Sequence, residues 1–495
     1  MTEHVDVLII GAGLSGIGGA VHLGRECPDK SYMILENRDA IGGTWDLFRY
    51  PGIRSDSDMH TLGFNFKPWP EAKAIADGPN IKRYVSDVAD EYGVTPHIRF
   101  NHKVISADWR ASEGRWYVQA EHNGEPVEIS CQFIYCGAGY YKYEEGYRPD
   151  FPGEDKFQGQ IIHPQHWPED LDYAGKKVAI IGSGATAVTL VPAMAEKAVH
   201  VTMVQRSPTW IVSRPSKDAV SNFLRSVLPK QWAYNVTRFK NTRLQQFMYN
   251  RTRTQPGKVR DHLIKLMKKD IPEDQIEAHF TPTYNPWDQR LCLVPDSDLF
   301  NALNDGSASV VTDHIDTFTE TGIQMKGGEH VDADIIVTAT GLQLQAIGGI
   351  QLSLDGEALQ VPERVIYKGM MYSDVPNFAS VFGYTNASWT LKADLIAQYV
   401  CRLLNHMDET GTSVATPTIS DPDMKTEPFM QDFSSGYFAR AQHLLPKQGS
   451  KHPWKLYQNY AADKKMMMGS DLDDGNMVFS NPVKEQEEVA LEAAE

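Results

Sequence analysis

Between residues 5 and 36 the apolar positions change period twice. They run almost unbroken through "VDVLII", as in a strand buried on both faces, recur at helical spacing through "LSGIGGAVHL", and return as a second strand in "SYMIL" just before Glu36. The turn between the first strand and the helix reads Gly11-x-Gly13-x-x-Gly16. The same order recurs in "KKVAIIGSGATAVTLVPAMAEKAVHVTMVQRSP", with Gly182, Gly184 and Ala187 at the turn. Such units lay helices on a parallel sheet, so the pattern predicts an α/β chain with two dinucleotide-binding, Rossmann-like domains. Two more apolar runs, "FIYCGAGYY" (133–141) and "DADIIVTATGLQ" (332–343), end in small residues, as where a strand brings backbone close to a dinucleotide. From Pro215 to His279 the spacing turns amphipathic, in "NFLRSVL" and "VRDHLIKLMKKD", which predicts helices inserted into the second unit.

Each turn residue has a physical task. Gly11 permits the tight turn, Gly13 lets a pyrophosphate approach the backbone, Gly16 allows close helix–strand contact, and the helix N-terminus offers positive potential to phosphate. Glu36 can accept hydrogen bonds from ribose hydroxyls, which marks the first unit as an FAD site. In the second unit the place of that acid is taken by Gln205, followed by Arg206 and Ser207. A glutamate there would repel a 2'-phosphate, whereas an arginine can hold one, so the second unit reads as an NADPH site. The alternative, an ordinary surface arginine, is disfavoured because the acid is absent from the same place.

Composition narrows the class. At 495 residues, 41% hydrophobic and 23% charged, the chain is long enough for two or three folded domains. A net charge of -16 argues against nucleic acid as a partner. Residues 216–270 depart from this, with 13 Lys or Arg against Asp218, Asp261 and Asp270. A solvated helical face explains such a run, as does attraction of an anionic cofactor or an acidic membrane surface. Five cysteines without a CxxC pair suggest neither a disulfide framework nor a metal centre, and fit a reducing cytoplasm. Cys131 and Cys136 fall in a predicted strand and read as core residues, which disfavours dithiol chemistry. Glu3 and Asp6 stand where a signal peptide would be basic, and no uncharged apolar run reaches spanning length. The expectation is a soluble, cytoplasmic protein, with peripheral membrane contact compatible but not required.

Several motifs then carry a resemblance. Phe157, Gly159, His163 and Trp167 fit FxGxxxHxxxW between the two glycine turns, the pattern and position of the fingerprint of class B flavin-dependent Baeyer-Villiger monooxygenases. "GGTWDLFRYPGIRSD" resembles the family's segment after the FAD turn, and "GYTNASWTLKADL" with "IGSGATAVTLVPAMA" resembles the subgroup that includes the ethionamide-activating monooxygenase. The resemblance implies FAD contacts at Gly43, Thr44, Trp45 and Asp56. It also implies a catalytic Arg290 oriented by Asp56, and reduction of FAD by NADPH. A C4a-peroxyflavin formed with O2 would then convert ketones to esters or lactones and also oxidise sulfides. A fixed positive charge in a dry site suits the anionic peroxide and the developing oxyanion. Arg290 could equally pair with Asp288 or Asp296 at the surface, as far as spacing alone shows. Where several family members have Lys before this arginine, the chain has Gln289.

The implied organisation is an FAD-binding domain beginning at 1–145, a linker with the fingerprint and the first part of the NADP-binding domain at 146–214, and a helical insertion at 215–283. The NADP domain resumes at 284–342, the FAD domain and C-terminal segment follow at 343–480, and 481–495 forms a disordered acidic tail. The fingerprint either couples domain rotation to catalysis or simply packs, and mutation would impair activity in both cases. Tyr50, Trp389 and Met371 are candidate pocket walls. Two other functions fit the same motifs: a flavin monooxygenase that oxidises N or S without Baeyer-Villiger activity, and an NADPH-sensing flavoprotein docked through its basic insertion.

Overall fold

The computed structural model describes residues 2–289, 291–430 and 435–482. Arg290 and nearly all of the acidic tail expected at 481–495 therefore lie outside the described residues.

The first strand, Glu3–Ile10, pairs in parallel with Tyr32–Leu35 on one side and Glu125–Cys136 on the other. Its Val7 and Ile9 enter one apolar layer while Leu8 and Ile10 enter another, which is why this strand is hydrophobic at nearly every position. Ile98–Arg99 extends the sheet beyond Tyr32–Leu35, and an antiparallel meander of His102–Arg110 and Arg115–His122 extends it the other way. Late segments return to it: Gln351–Leu354 pairs with His102–Arg110, and Phe378–Ser380 pairs with Glu125–Cys136.

A second, all-parallel sheet runs in the order Ala308–Thr312, His200–Gln205, Lys177–Ile181, Ile335–Thr338 and Gln160–Ile162. Its central strand sends Val178 and Ile180 to one layer and Ala179 and Ile181 to the other. The molecule is thus mixed α/β with one mixed and one all-parallel sheet, each led by a glycine turn. Between the paired strands Trp210–Arg214 and Leu291–Pro295 lie four helices, Ala219–Val227, Lys230–Thr254, Pro256–Met267 and Glu273–His279. All five cysteines are buried and free. Among the described residues no helix is long and apolar enough to cross a membrane.

Candidate active site

Both glycine turns open into one cavity of about 1170 Å³, larger than the ~300–1,000 Å³ that usually suffices for a small ligand. At the first turn Gly11 has φ +94°, and a Cβ there would stand 2.9 Å from the Gly137 carbonyl oxygen, so the strand ends can meet only at glycine. Gly16 and Ala187 do not reach the cavity. Gly16 is pressed on the Gly11 carbonyl, where a Cβ would come within 1.8 Å, and Ala187 is buried in the second core. Gly13 and Gly184 differ: a Cβ on Gly13 would make only an ordinary 3.5 Å contact with Gly43, and one on Gly184 would meet no protein atom within 4 Å. The space these two glycines leave is cavity. Each is the N-cap of a helix, Leu14–Glu26 and Ala185–Ala195, and neither helix has a side-chain cap or an acid in its first turn. Unpaired amides and the positive helix end therefore face the cavity, a cradle fitted to a diphosphate.

Glu36 forms the next part of the wall. Its Oε2 accepts from the Ala12 amide at 2.6 Å and its Oε1 from the Arg38 amide at 2.8 Å, leaving each oxygen a further lone pair. Burial pushes its carboxyl above the ordinary range although both amides oppose this. Gly43, Thr44 and Trp45 line the cavity at the start of the short helix Thr44–Leu47. Within that helix, the buried Asp46 is held by Arg38 and Lys82, each at 2.6 Å. Burial works against its charge, but these two cations keep its carboxyl below the usual range. Trp389 donates to the Ser15 hydroxyl at 2.8 Å and stacks on Tyr140, joining the start of helix Trp389–Thr410 to the first glycine helix.

In the second unit the acid-equivalent Gln205 turns away from the cavity. It donates to the His279 carbonyl and to Thr312, each at 2.8 Å. Arg206 and Ser207 lie in the cavity wall and are exposed. Ser183 ties this loop to the glycine turn through the Ser207 carbonyl and the Thr209 hydroxyl.

Asp56 lies in the cavity wall, as do Gln289 and Leu291, the chain neighbours of Arg290. Tyr50 and Trp389 line it too, whereas Met371 is fully buried in the first core, away from the wall. None of the four fingerprint residues lines it. Phe157 packs edge-on to Phe318, and a Cβ on Gly159 would stand 2.2 Å from the Asp334 carbonyl oxygen. Trp167 packs on the second core. His163 Nδ1 accepts from the Gln165 amide at 3.2 Å, burial pulls its pKa below the ordinary value, and its ring presses on Gly146, next to the cavity residue Tyr147.

Two cavity arginines were not among the expected site residues. Arg54 pairs with Asp298, and Arg440 lays its guanidinium over the Tyr147 ring at 3.5 Å. Arg54 lies within the segment "GGTWDLFRYPGIRSD" two residues before Asp56, whereas Arg440 sits in no motif and arrives from a helix, Gly436–Ala441, nearly three hundred residues beyond its aromatic partner.

Known proteins resemble this chain in sequence and in fold. The chain is similar to the FAD-containing monooxygenase EthA of Mycobacterium tuberculosis, 52% identical over 482 residues that cover 97% of this chain and 98% of the relative. It is similar to the probable FAD-binding monooxygenase AlmA of Acinetobacter baylyi (52%, covering 97% of each) and to the putative FAD-containing monooxygenase MymA of Mycobacterium tuberculosis (49%, 97% and 98%). Among solved structures, an oxidised steroid monooxygenase bound to NADP matches with TM-score 0.76 at 21% identity, over 97% of this chain and 100% of the other. An open form of cyclohexanone monooxygenase matches with TM-score 0.68 at 22% identity, over 84% and 90%. These likenesses extend to the fold the two-sheet architecture seen here. The family described as flavin-binding monooxygenase-like matches residues 5–347, and the chain belongs to it.

Proposed function

We propose that the protein is an FAD- and NADPH-dependent monooxygenase that converts ketones to esters or lactones with O2 and also oxidises sulfides. The observation that carries this reading is the opening of both glycine turns into one cavity, because hydride donor and flavin must meet. Support comes from relatives at about half identity named as FAD-containing or FAD-binding monooxygenases, and from fold neighbours named as ketone and steroid monooxygenases.

Bound here, NADPH supplies the hydride and the reduced flavin supplies the electrons that activate O2. The chain's own residues bind and orient. The Gly13 turn and the amides of Leu14–Glu26 hold the FAD diphosphate, Glu36 accepts from a ribose, and Gly43, Thr44 and Trp45 close over that site. The Gly184 turn holds the NADPH diphosphate, with Arg206 and Ser207 taking the 2'-phosphate. We assign Arg290 to stabilising negative charge that develops on the reacting oxygens, with Asp56 orienting its guanidinium. The domain limits given above, with the insertion at 215–283, belong to this reading.

The test is to supply ¹⁸O2 with a ketone and a sulfide together. Labelled ester alongside sulfoxide is expected, and sulfoxide alone would move the protein to the heteroatom oxidisers. Arg290→Ala should keep its flavin and lose ester, each tenfold corresponding to about 1.4 kcal/mol of transition-state stabilisation. An unchanged ester yield would mean that the charge comes from elsewhere.

A further inference from the structure

Helix Lys230–Thr254 is amphipathic with its faces reversed. The stripe turned inward is polar: Tyr234, Arg238, Asn241 and Gln245 all bond to the segment 58–64 of the first unit. The stripe turned outward is apolar and aromatic. Trp232 is 70% exposed, Phe239 65% and Phe247 55%, and on the preceding helix, Ala219–Val227, Phe223 is 64% exposed. Among the described residues, nine of the fourteen large apolar side chains that stand exposed fall between Val220 and Phe247. Lone exposed hydrophobics are ordinary on a protein surface, but such a concentration on two consecutive helices marks a surface that something covers.

The charges say what covers it. From Ala219 to Thr254 there are seven Lys or Arg and no Asp or Glu, in a chain whose net charge is -16. Exposed Arg243 and Arg251 lie beside the outward rings, with guanidinium carbons 5.3 Å from the Phe239 centroid and 5.5 Å from that of Phe247. A second copy using the same face would set cation against cation, since a two-fold contact brings each patch onto itself. An anionic bilayer satisfies both features: aromatic and aliphatic side chains enter the headgroup boundary while the arginines meet lipid phosphates, and the acidic remainder of the molecule is held away from the surface.

We propose that the outward face of residues 219–254 docks the protein on anionic lipid membranes. The inner side of the same helix lines the cavity through Gln245, Met248, Tyr249 and Thr252, so docking sets the wall of the cavity next to the lipid. The docking requires no particular reaction and stands or falls independently of the activity proposed above.

The test is co-sedimentation of the flavin-loaded protein with vesicles of phosphatidylglycerol and phosphatidylcholine, compared with phosphatidylcholine alone. Expected are binding at least tenfold tighter to the anionic vesicles, weakening with salt, and a blue shift of Trp232 fluorescence on binding. Two variants separate the contributions. Phe223→Ser with Trp232→Ser and Phe239→Ser, and separately Lys230→Glu with Arg243→Glu and Arg251→Glu, should each lose at least tenfold in vesicle affinity while keeping the flavin spectrum. Equal binding to both vesicle types, or none to either, would overturn the proposal. So would a wild-type dimer that the apolar variant converts to monomer without any change in vesicle binding, because the face would then be a contact between copies.

Discussion

Gly16 and Gly184 must both be small, but different neighbours require it. A methyl on Gly16 would collide with backbone at 1.8 Å, so Gly16→Ala should cost at least the ~1–3 kcal/mol of an overpacked core and yield protein poor in flavin, read from the flavin-to-protein absorbance ratio. A methyl on Gly184 meets no protein atom within 4 Å, so Gly184→Ala should change unfolding stability by less than about 1 kcal/mol and weaken NADPH binding instead. Arg206→Ala should raise the apparent KM for NADPH roughly ten- to a hundredfold, the worth of a charged hydrogen bond, and leave that for NADH nearly unchanged; equal effects on both would remove the 2'-phosphate assignment. These positions were legible in the sequence because backbone sterics at a strand-to-helix turn admit few residues. Arg440 was not, since tertiary contact alone brings it to the wall, and the quoted segment around Arg54 gave no sign of its partner Asp298. His22 was missed for the same reason: it bonds Glu26 one turn away at 2.8 Å and Asp394 at 3.4 Å. Burial disfavours its charge, yet these carboxylates raise its pKa to about 9. The resulting stabilisation, about 3 kcal/mol, is complete below the unfolded value of 6.5 and is lost as pH rises through about 9. Thermal midpoints should fall across that window, and His22→Gln should flatten the fall.

At the scale of elements, the two glycine-led units could be read from periodicity, and the inserted helix Pro256–Met267 buries Val259, Leu263 and Met267 as its spacing predicts, but the orientation of helix Lys230–Thr254 could not be read. An amphipathic spacing implies an apolar face turned to the core. Helix Lys230–Thr254 instead buries its polar stripe, because the carbonyls of His60, Thr61 and Gly63 need donors and the Arg238 guanidinium supplies one to all three. The same guanidinium bonds Asp394 at 3.0 Å. Removing one partner of a buried ion pair is far more damaging than a surface loss, so Arg238→Ala should lower stability by about 3–5 kcal/mol, measured by denaturant unfolding. The fingerprint shows a further limit of a motif. Its spacing was visible, but none of its four residues lines the cavity, and packing and relay leave the same trace in sequence.

Across the whole molecule, the cavity is assembled from both sheets, the insertion and the late helix Gly436–Ala441, so its composition follows from no single stretch of chain. Sequence order gave the two turns; the fold alone brought them to one chamber. Asp394 receives Arg238 from the insertion, His22 from the first glycine helix and the Asn65 amide from the loop between, so chain segments hundreds of residues apart close on one carboxylate. A protease that nicked an exposed loop of the insertion would therefore free nothing: the fragments should migrate as one particle on a native gel, and part only when the denaturant reaches that buried knot.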